Sequence, residues 1–188
     1  MTDALIALHF QNDICHRNGR IPFAIDRSAG SEAFLDASRA ALAEARGSKW
    51  TIAHIHIAFA EDYSDLPRNC QLFQAVEKLG AVKRGSWGAA PLEGFEPREG
   101  EIALFHNRNS AFRNTGLDDL LRERRIERLH VMGLATQFSV EHTVRDAADL
   151  GYAVTVLAPC CASADAEAHK ASLKTMSMLA EIAKSGLV

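Results

Sequence analysis

Short apolar runs alternate along this chain with amphipathic segments of about a dozen residues. The runs ALIAL, WTIAHIHIAF, EIALF, ERLHVMG and YAVTVLA have the length and composition of buried strands. Strands that alternate with helices form βαβ units, in which the sheet is parallel and covered by helices on both faces. The pattern therefore predicts a three-layer α/β/α, Rossmann-like fold with a mainly parallel sheet of roughly five or six strands.

Three segments carry the signals of helix ends, and a fourth resembles a helix by composition. SEAFLDASRAALAEARG has Ser31 as a candidate N-cap and stops at Gly47, and TGLDDLLRERR has Thr115 as a candidate cap. SVEHTVRDAADLG has apolar residues at helical spacing and ends at Gly151. The Ala-rich residues 164–185 predict a last helix, whereas residues 60–100 show no sustained periodicity, which is typical of a lid or an interface segment.

Composition and charge narrow the class of protein. The 188 residues are 47% hydrophobic and 24% charged, which predicts one domain over residues 1–188. A net charge of −3 without a run of Lys or Arg argues against a nucleic-acid partner. No apolar stretch approaches the ~20 residues that cross a bilayer, so we expect no membrane partner and a cytoplasmic location. Four cysteines without CxxC spacing indicate reduced thiols, and no GxGxxG or P-loop points to a nucleotide cofactor.

Titratable side chains follow several of the predicted strands. In an open parallel sheet, ligands bind outside the carboxyl ends of the strands. His9 follows ALIAL, His106 follows EIALF, GLATQFS follows ERLHVM, and Cys160 and Cys161 end the last run. His9 and His106 are therefore candidates to face one cleft.

Ser139 is a third candidate, because GLATQFSVEHT has a strand turning into a helix at this serine. Amide groups at a helix start have no partner inside the helix and can hold a developing oxyanion. A serine hydroxyl becomes a nucleophile when a base such as imidazole takes its proton. Local sequence favours simpler roles, since Ser139 also suits a helix N-cap and a lone histidine is more often structural.

The chain resembles the isochorismatase-like hydrolase superfamily, or cysteine hydrolase group, over nearly its whole length. The resemblance rests on LIALHFQND, on GSWGAAPLEGFEP, and on the block from FHNRNSAF to LAPCCAS. It implies a parallel sheet with helices on both faces, a homo-oligomer, and hydrolysis of a small molecule. It also implies a cis peptide between Leu134 and Ala135.

The resemblance also implies a catalytic set, and this chain departs from it. Family members that cleave amides use an Asp, a Lys and a Cys, which correspond here to His9, His106 and Ser139. All three are replaced, so His9 stands where the family keeps its general base.

Three explanations remain open. In a rewired hydrolase, Ser139 attacks, His9 or His106 accepts its proton, and amides near Ala135 and Ser139 hold the oxyanion. In a second, a protonated His9 acts as the acid without a covalent step, as in isochorismatase-type relatives that lack the Cys. In the third, the protein is a silent member that binds a ligand or serves as an assembly subunit. Two histidines and a serine are not what drift favours, so we expect a hydrolase with an altered site.

Other residues are weaker candidates for the site. The predicted substrate contacts are Gln11, Asn109, Phe112, Leu134, Ala135 and Phe138. An apolar pocket formed by aromatic side chains is an additional hypothesis for Phe10, Phe34, Phe112, Phe138 and Trp87. Cys160 is a candidate displaced nucleophile. His54 and His56 form a His-x-His pair, but the alternation of the strand explains them and no metal site is predicted.

Overall fold

The computed structural model describes residues 2–26 and 31–184 of the chain. Strands and helices alternate within this part. The strands are β1 (Asp3–Leu8), β2 (Thr51–Ile57), β3 (Ile102–His106), β4 (Arg128–Leu134), β5 (Ala153–Ala162) and β6 (Glu181–Ala183). The helices are α1 (Asn12–Cys15), α2 (Ser31–Gly47), α3 (Gln71–Lys78), α4 (Leu117–Glu123), α5 (Glu141–Asp149) and α6 (Ala166–Met176). A 3₁₀ turn at Trp87–Ala89 and a π-helix at Thr136–Val140 complete them.

The six strands form one parallel sheet in the order β3-β2-β1-β4-β5-β6. Alternate residues of β1 enter different cores: Leu5 and Ala7 pack towards α2 and α3, and Ile6 and Leu8 pack towards α4, α5 and α6. The sheet is therefore covered on both faces, which confirms the predicted three-layer fold. Strand order reverses between β1 and β4, so their carboxyl ends form the switch point where ligands bind in such sheets.

The end of the chain differs from its sequence pattern. The helix predicted for residues 164–185 stops at Met176, and Glu181–Ala183 forms β6 instead, while residue 185 lies outside the described part. Thr155 of β5 pairs with Glu181 of β6. A parallel partner satisfies backbone groups along the open edge of β5, and that gain outweighs the helical preference of an Ala-rich segment.

Two short helices and two cap positions also differ from expectation. Helix α1 lies in the polar run after His9, and α3 lies in residues 60–100, where the pattern showed no period. Gly116 is the N-cap of α4 with φ of 70°, and Thr115 supports it by accepting a hydrogen bond from Leu117 N at 3.2 Å. Ser31 and Gly47 are the first and last residues of α2.

Candidate active site

His9 leaves β1 in an unusual backbone conformation. Its φ is 61°, in the left-handed region that residues with a Cβ rarely occupy, and its amide donates to Ile55 O at 2.9 Å. The side chain is buried. Non-glycine residues in this region cost of the order of 1 kcal/mol and occur most often at functional sites. The turn ends the strand and places His9 in the lining of a cavity at the carboxyl ends of the strands.

His106, the last residue of β3, contacts His9 directly. The two Nε2 atoms lie 2.6 Å apart, and His106 Nδ1 lies 3.0 Å from the carbonyl oxygen of Ser110. A carbonyl oxygen can only accept, so His106 Nδ1 carries a proton and, in the neutral ring, Nε2 is the acceptor. In the neutral pair, His9 Nε2 then donates to His106 Nε2.

Burial keeps both rings neutral at neutral pH. Desolvation, followed by repulsion from His106 and His56, lowers the pKa of His9 well below 6.5. A backbone hydrogen bond at Leu134 opposes this shift, which identifies a carbonyl that accepts from the protonated ring. Desolvation lowers the pKa of His106 to about 4. The pair is therefore a buried base rather than a fixed positive charge.

His56 is a third imidazole at this site, and sequence reasoning did not place it there. Burial, with repulsion from His54 and His106, lowers its pKa to about 4, and its Nδ1 has no partner among the described residues. The register pairs Leu8 with Ile55 and His56 with Phe105, so His56 lies between the ends of β1 and β3. Sequence reasoning missed His56 because the sequence pattern did not give the order of these three strands.

Ser139 lies inside the π-helix that follows β4. The N-cap of that helix is Ala135 and the N-cap of α5 is Val140, so Ser139 caps neither helix. The residue is buried. Its hydroxyl makes no hydrogen bond within residues 2–26 and 31–184, and neither imidazole is therefore bonded to it.

The turn that carries Ser139 is fixed by hydrogen bonds to β5 and α6. Thr136 Oγ1 donates to Ala162 O at 3.0 Å and lies 2.9 Å from His169 Nδ1. Ser172 Oγ lies 3.2 Å from Thr136 O and 2.6 Å from the Glu141 carboxylate. The peptide between Leu134 and Ala135 is cis, as the resemblance implies. These contacts join the turn to β5 and α6, so Ser139 is positioned by the sheet and not by a free loop.

A cavity of about 50 Å³ lies beside these groups. Its walls are mainly apolar and come from both sides of the switch point. The lining residues are His9, Ile14, Ile21, Phe23, Ala24, Ile57, Leu72, Phe73, Val76, Val82, Asn109, Leu134, Ala135, Phe138 and Ser139. Typical ligand pockets measure about 300 Å³ or more, so this cavity accommodates only a small group.

The structure brings some of the proposed contacts to the cavity and leaves others away from it. Asn109, Leu134, Ala135 and Phe138 line it together with His9 and Ser139. Gln11 is buried elsewhere and bridges β2 to the 3₁₀ turn, donating to Ile57 O at 2.9 Å and to Ala89 O at 2.7 Å.

The remaining aromatic residues also lie outside the cavity. Phe112 stacks on Tyr152, and Phe10 stacks between Phe34 and Phe95 in the core. Trp87 is exposed. Packing therefore accounts for these rings, and the apolar wall comes instead from α3 and the segment after α1.

The cysteines and the His-x-His pair are engaged in packing and in other contacts. Burial raises the pKa of Cys160 to about 11 and that of Cys161 to about 12, so both thiols stay protonated and are poor nucleophiles. His54 Nε2 lies 2.8 Å from Glu101 Oε2, and Glu101 also binds Arg46. Residues 2–26 and 31–184 contain no group of three or more His, Cys, Asp or Glu side chains arranged for a metal ion. No described helix is long and apolar enough to cross a membrane.

An all-parallel α/β/α sheet with titratable groups at its switch point is an architecture that binds small molecules there, and comparison with known proteins gives the family. Residues 3–185 match the isochorismatase domain family. Ureidoacrylate amidohydrolase RutB of Caulobacter segnis is 28% identical over 168 residues, covering 83% of this chain and 70% of that protein.

Comparison with solved structures gives the same family. An isochorismatase family protein from Desulfovibrio vulgaris superposes with a TM-score of 0.85 and 28% identity, covering 96% of this chain and 93% of that one. Nicotinamidase PncA from Bacillus subtilis shares the fold, with a TM-score of 0.82, 24% identity, and coverage of 98% and 100%. The chain belongs to the isochorismatase family of hydrolases.

Proposed function

We propose that the protein hydrolyses a C–N or C–O bond of a small amide or ester, with Ser139 as the nucleophile and His9 as the general base. One observation carries the proposal: Ser139 and His9 line the same cavity. The family resemblance supports it, because Ser139 corresponds to the family's nucleophile. The RutB relative is named an amidohydrolase, which supports a C–N bond as the target.

The neutral His9 ring suits it to start the reaction. Its imidazole takes the proton of Ser139 as Oγ bonds to the carbonyl carbon, and backbone amides near Ala135 and Ser139 hold the oxyanion. The Leu134 carbonyl stabilises the protonated ring. His9 then returns the proton to the leaving nitrogen or oxygen as the scissile bond breaks. A water that gives its proton to His9 cleaves the acyl-serine, and the proton goes back to Ser139 Oγ.

His106 acts through His9. Its Nδ1–H is held by Ser110 O, so its Nε2 accepts from His9 Nε2 and orients the His9 ring. His106 is therefore a positioning residue. A His106→Asn variant should lower turnover. It should also move the acid limb of the pH–rate profile to higher pH, because the partner that repels the protonated His9 ring is gone.

A second candidate function is a silent member that binds a ligand or serves as an assembly subunit. Two observations favour it: the imidazoles bond to each other and not to Ser139, and the cavity is only about 50 Å³. Hydrogen bonds between a nucleophile and its base often form only when substrate is bound.

Turnover of a panel of small amides, carbamoyl compounds, esters and isochorismate tests the proposal. Ser139→Ala should abolish turnover, and Ser38→Ala, which removes a buried helix serine bonded to Phe34 O, should not. A trapped acyl-serine detected by mass would support the covalent step. Activity that survives in Ser139→Ala but not in His9→Ala would instead support acid-base chemistry without a covalent step. No turnover, with a ligand that still raises the melting temperature, would support the silent member.

A further inference from the structure

A polar groove opens next to the cavity and is not used by the proposed chemistry. It measures about 320 Å³ and is lined by the segment before α3, the loop after β3 and one face of α5. Phe73 and Asn109 line both the groove and the cavity, so the two spaces adjoin. The cavity alone holds only a small group, whereas the two spaces together match the size of ordinary ligand sites.

The groove carries an uncompensated positive charge. Arg113 binds Asp146 through two hydrogen bonds of 2.9 Å and 3.1 Å, so those charges cancel. Arg108 makes no ion pair within residues 2–26 and 31–184. Its Nη1 donates to Asn107 O and Oδ1, both at 2.9 Å, and these acceptors are neutral. The Nε and Nη2 donors of Arg108 remain for a ligand, and a guanidinium fork fits a carboxylate best.

Asn109 adds a second requirement where the groove and the cavity meet. Its Oδ1 is buried and has no hydrogen-bond partner among the described residues. An unpaired buried acceptor is costly, so a donor from a ligand would stabilise the site. The donor that matches a carbonyl-type oxygen is an N–H group.

We propose that the groove is a carboxylate subsite: Arg108 binds the acid group of a small amido or ureido acid, Asn109 accepts from its N–H, and the reacting carbonyl enters the cavity beside Ser139. The placement of the carbonyl rests on the function proposed above. The carboxylate subsite does not, because binding at Arg108 needs no turnover.

The test measures binding by calorimetry in a Ser139→Ala background, where turnover is blocked. The probes are malonamate, succinamate and glutaramate, which place a carboxylate at increasing distance from an amide, and the neutral amides propionamide and butyramide. We expect at least one amido acid to bind more tightly than either neutral amide. Adding Arg108→Gln should weaken that binding about tenfold to a hundredfold and leave the neutral amides unchanged.

Two further variants test whether the affinity depends on positive charge alone or on the guanidinium geometry of Arg108. Lys170→Gln removes one positive charge from the exposed face of α6, where Lys170 binds Glu167, and should leave binding unchanged. Arg108→Lys keeps the charge without the fork and should recover only part of the affinity. Melting temperatures close to that of the parent would show that the Arg108 variants are folded.

Each result is decisive for the subsite. Equal binding of amido acids and neutral amides, or unchanged binding in Arg108→Gln, overturns it, and so does a failure of all the acids to bind at millimolar concentration. If the acids bind through Arg108 but the parent protein hydrolyses no amide, the subsite stands and the hydrolase proposal fails.

Discussion

The Nε2 atoms of His9 and His106 lie 2.6 Å apart in a region from which solvent is excluded. Such a pair holds one proton between two nitrogens, and a positive charge there would be unpaired and desolvated. In the resemblance these positions correspond to an acid and a lysine, which form a site with opposite charges. The histidine pair replaces those charges with a neutral site whose state depends on pH.

The buried histidines predict a loss of stability in weak acid. His56 and His106 have pKa values of about 4 in the folded protein and the ordinary 6.5 when unfolded, so the unfolded chain binds more protons between these values. The contribution of their neutral, buried state to the free energy of unfolding is complete above pH 6.5 and is lost as pH falls to 4. Each should add about 1.4 kcal/mol per pH unit to the decline in the free energy of unfolding. Urea unfolding at a series of pH values measures this slope.

A His56→Phe variant isolates one of these contributions. The ring of His56 already packs 5.4 Å from that of Phe105, and its Nδ1 has no partner to lose. The variant should therefore lose about 2 kcal/mol less than the parent between pH 7 and pH 5. His142→Gln, on the exposed face of α5, is the matched control and should follow the parent. A parallel decline in His56→Phe and the parent would contradict the account.

Gly133 should tolerate no side chain. Its φ is 135°, and a Cβ there would clash with the Leu8 carbonyl oxygen and lie 2.9 Å from the carbonyl carbon, on the neighbouring strand. Because both the conformation and the contact are backbone features, the strands must separate. We expect Gly133→Ala to cost about 3 kcal/mol or more in unfolding free energy.

Gly47→Ala provides the comparison for that measurement. Gly47 is the last residue of α2, and a Cβ there meets no atom within 4 Å. The change should be neutral or stabilise by up to about 1 kcal/mol, since alanine favours the helix. Similar stabilities for the two variants would contradict the role of the close approach between β1 and β4.

Glu101, the residue before β3, links three parts of the fold. Its carboxylate binds Arg46 of α2 at 2.7 Å, His54 of β2 at 2.8 Å, and the amide of Arg98 at 2.8 Å. These partners hold its pKa at about 2 despite the opposing effect of burial. Glu101→Gln should lower the unfolding free energy by about 2 kcal/mol at pH 7, because Arg46 is left with a weaker partner.

The pH dependence of the Glu101 effect has a definite sign. A lowered carboxyl pKa stabilises above the unfolded value of 4.5, and this contribution is lost as pH falls towards 2. The difference between Glu101→Gln and the parent should therefore shrink below pH 4.5. Glu167→Gln, an exposed partner of Lys170, is the control and should change stability by less than about 0.5 kcal/mol. A difference that grows in acid would be the opposite of this prediction.

Local sequence was sufficient to predict the features that depend only on periodicity and on the positions where strands end. The apolar runs predicted β1 to β5, and the parallel sheet followed from their alternation with helices. His9, His106 and Ser139 were found as candidates because each follows a strand. The short β6 was missed, because residues 181–183 become a strand only when β5 offers them an open edge.

The arrangement of the site depended on contacts between residues far apart in the chain. His9 and His106 are 97 positions apart, and only the strand order β3-β2-β1 brings them together with His56. The tautomer of His106 follows from the carbonyl of Ser110, and the neutrality of both rings follows from burial. The residue pattern therefore determined which side chains lie at the strand ends. Packing determined which of them touch and which state they hold, because desolvation and hydrogen bonding exist only once the strands are assembled.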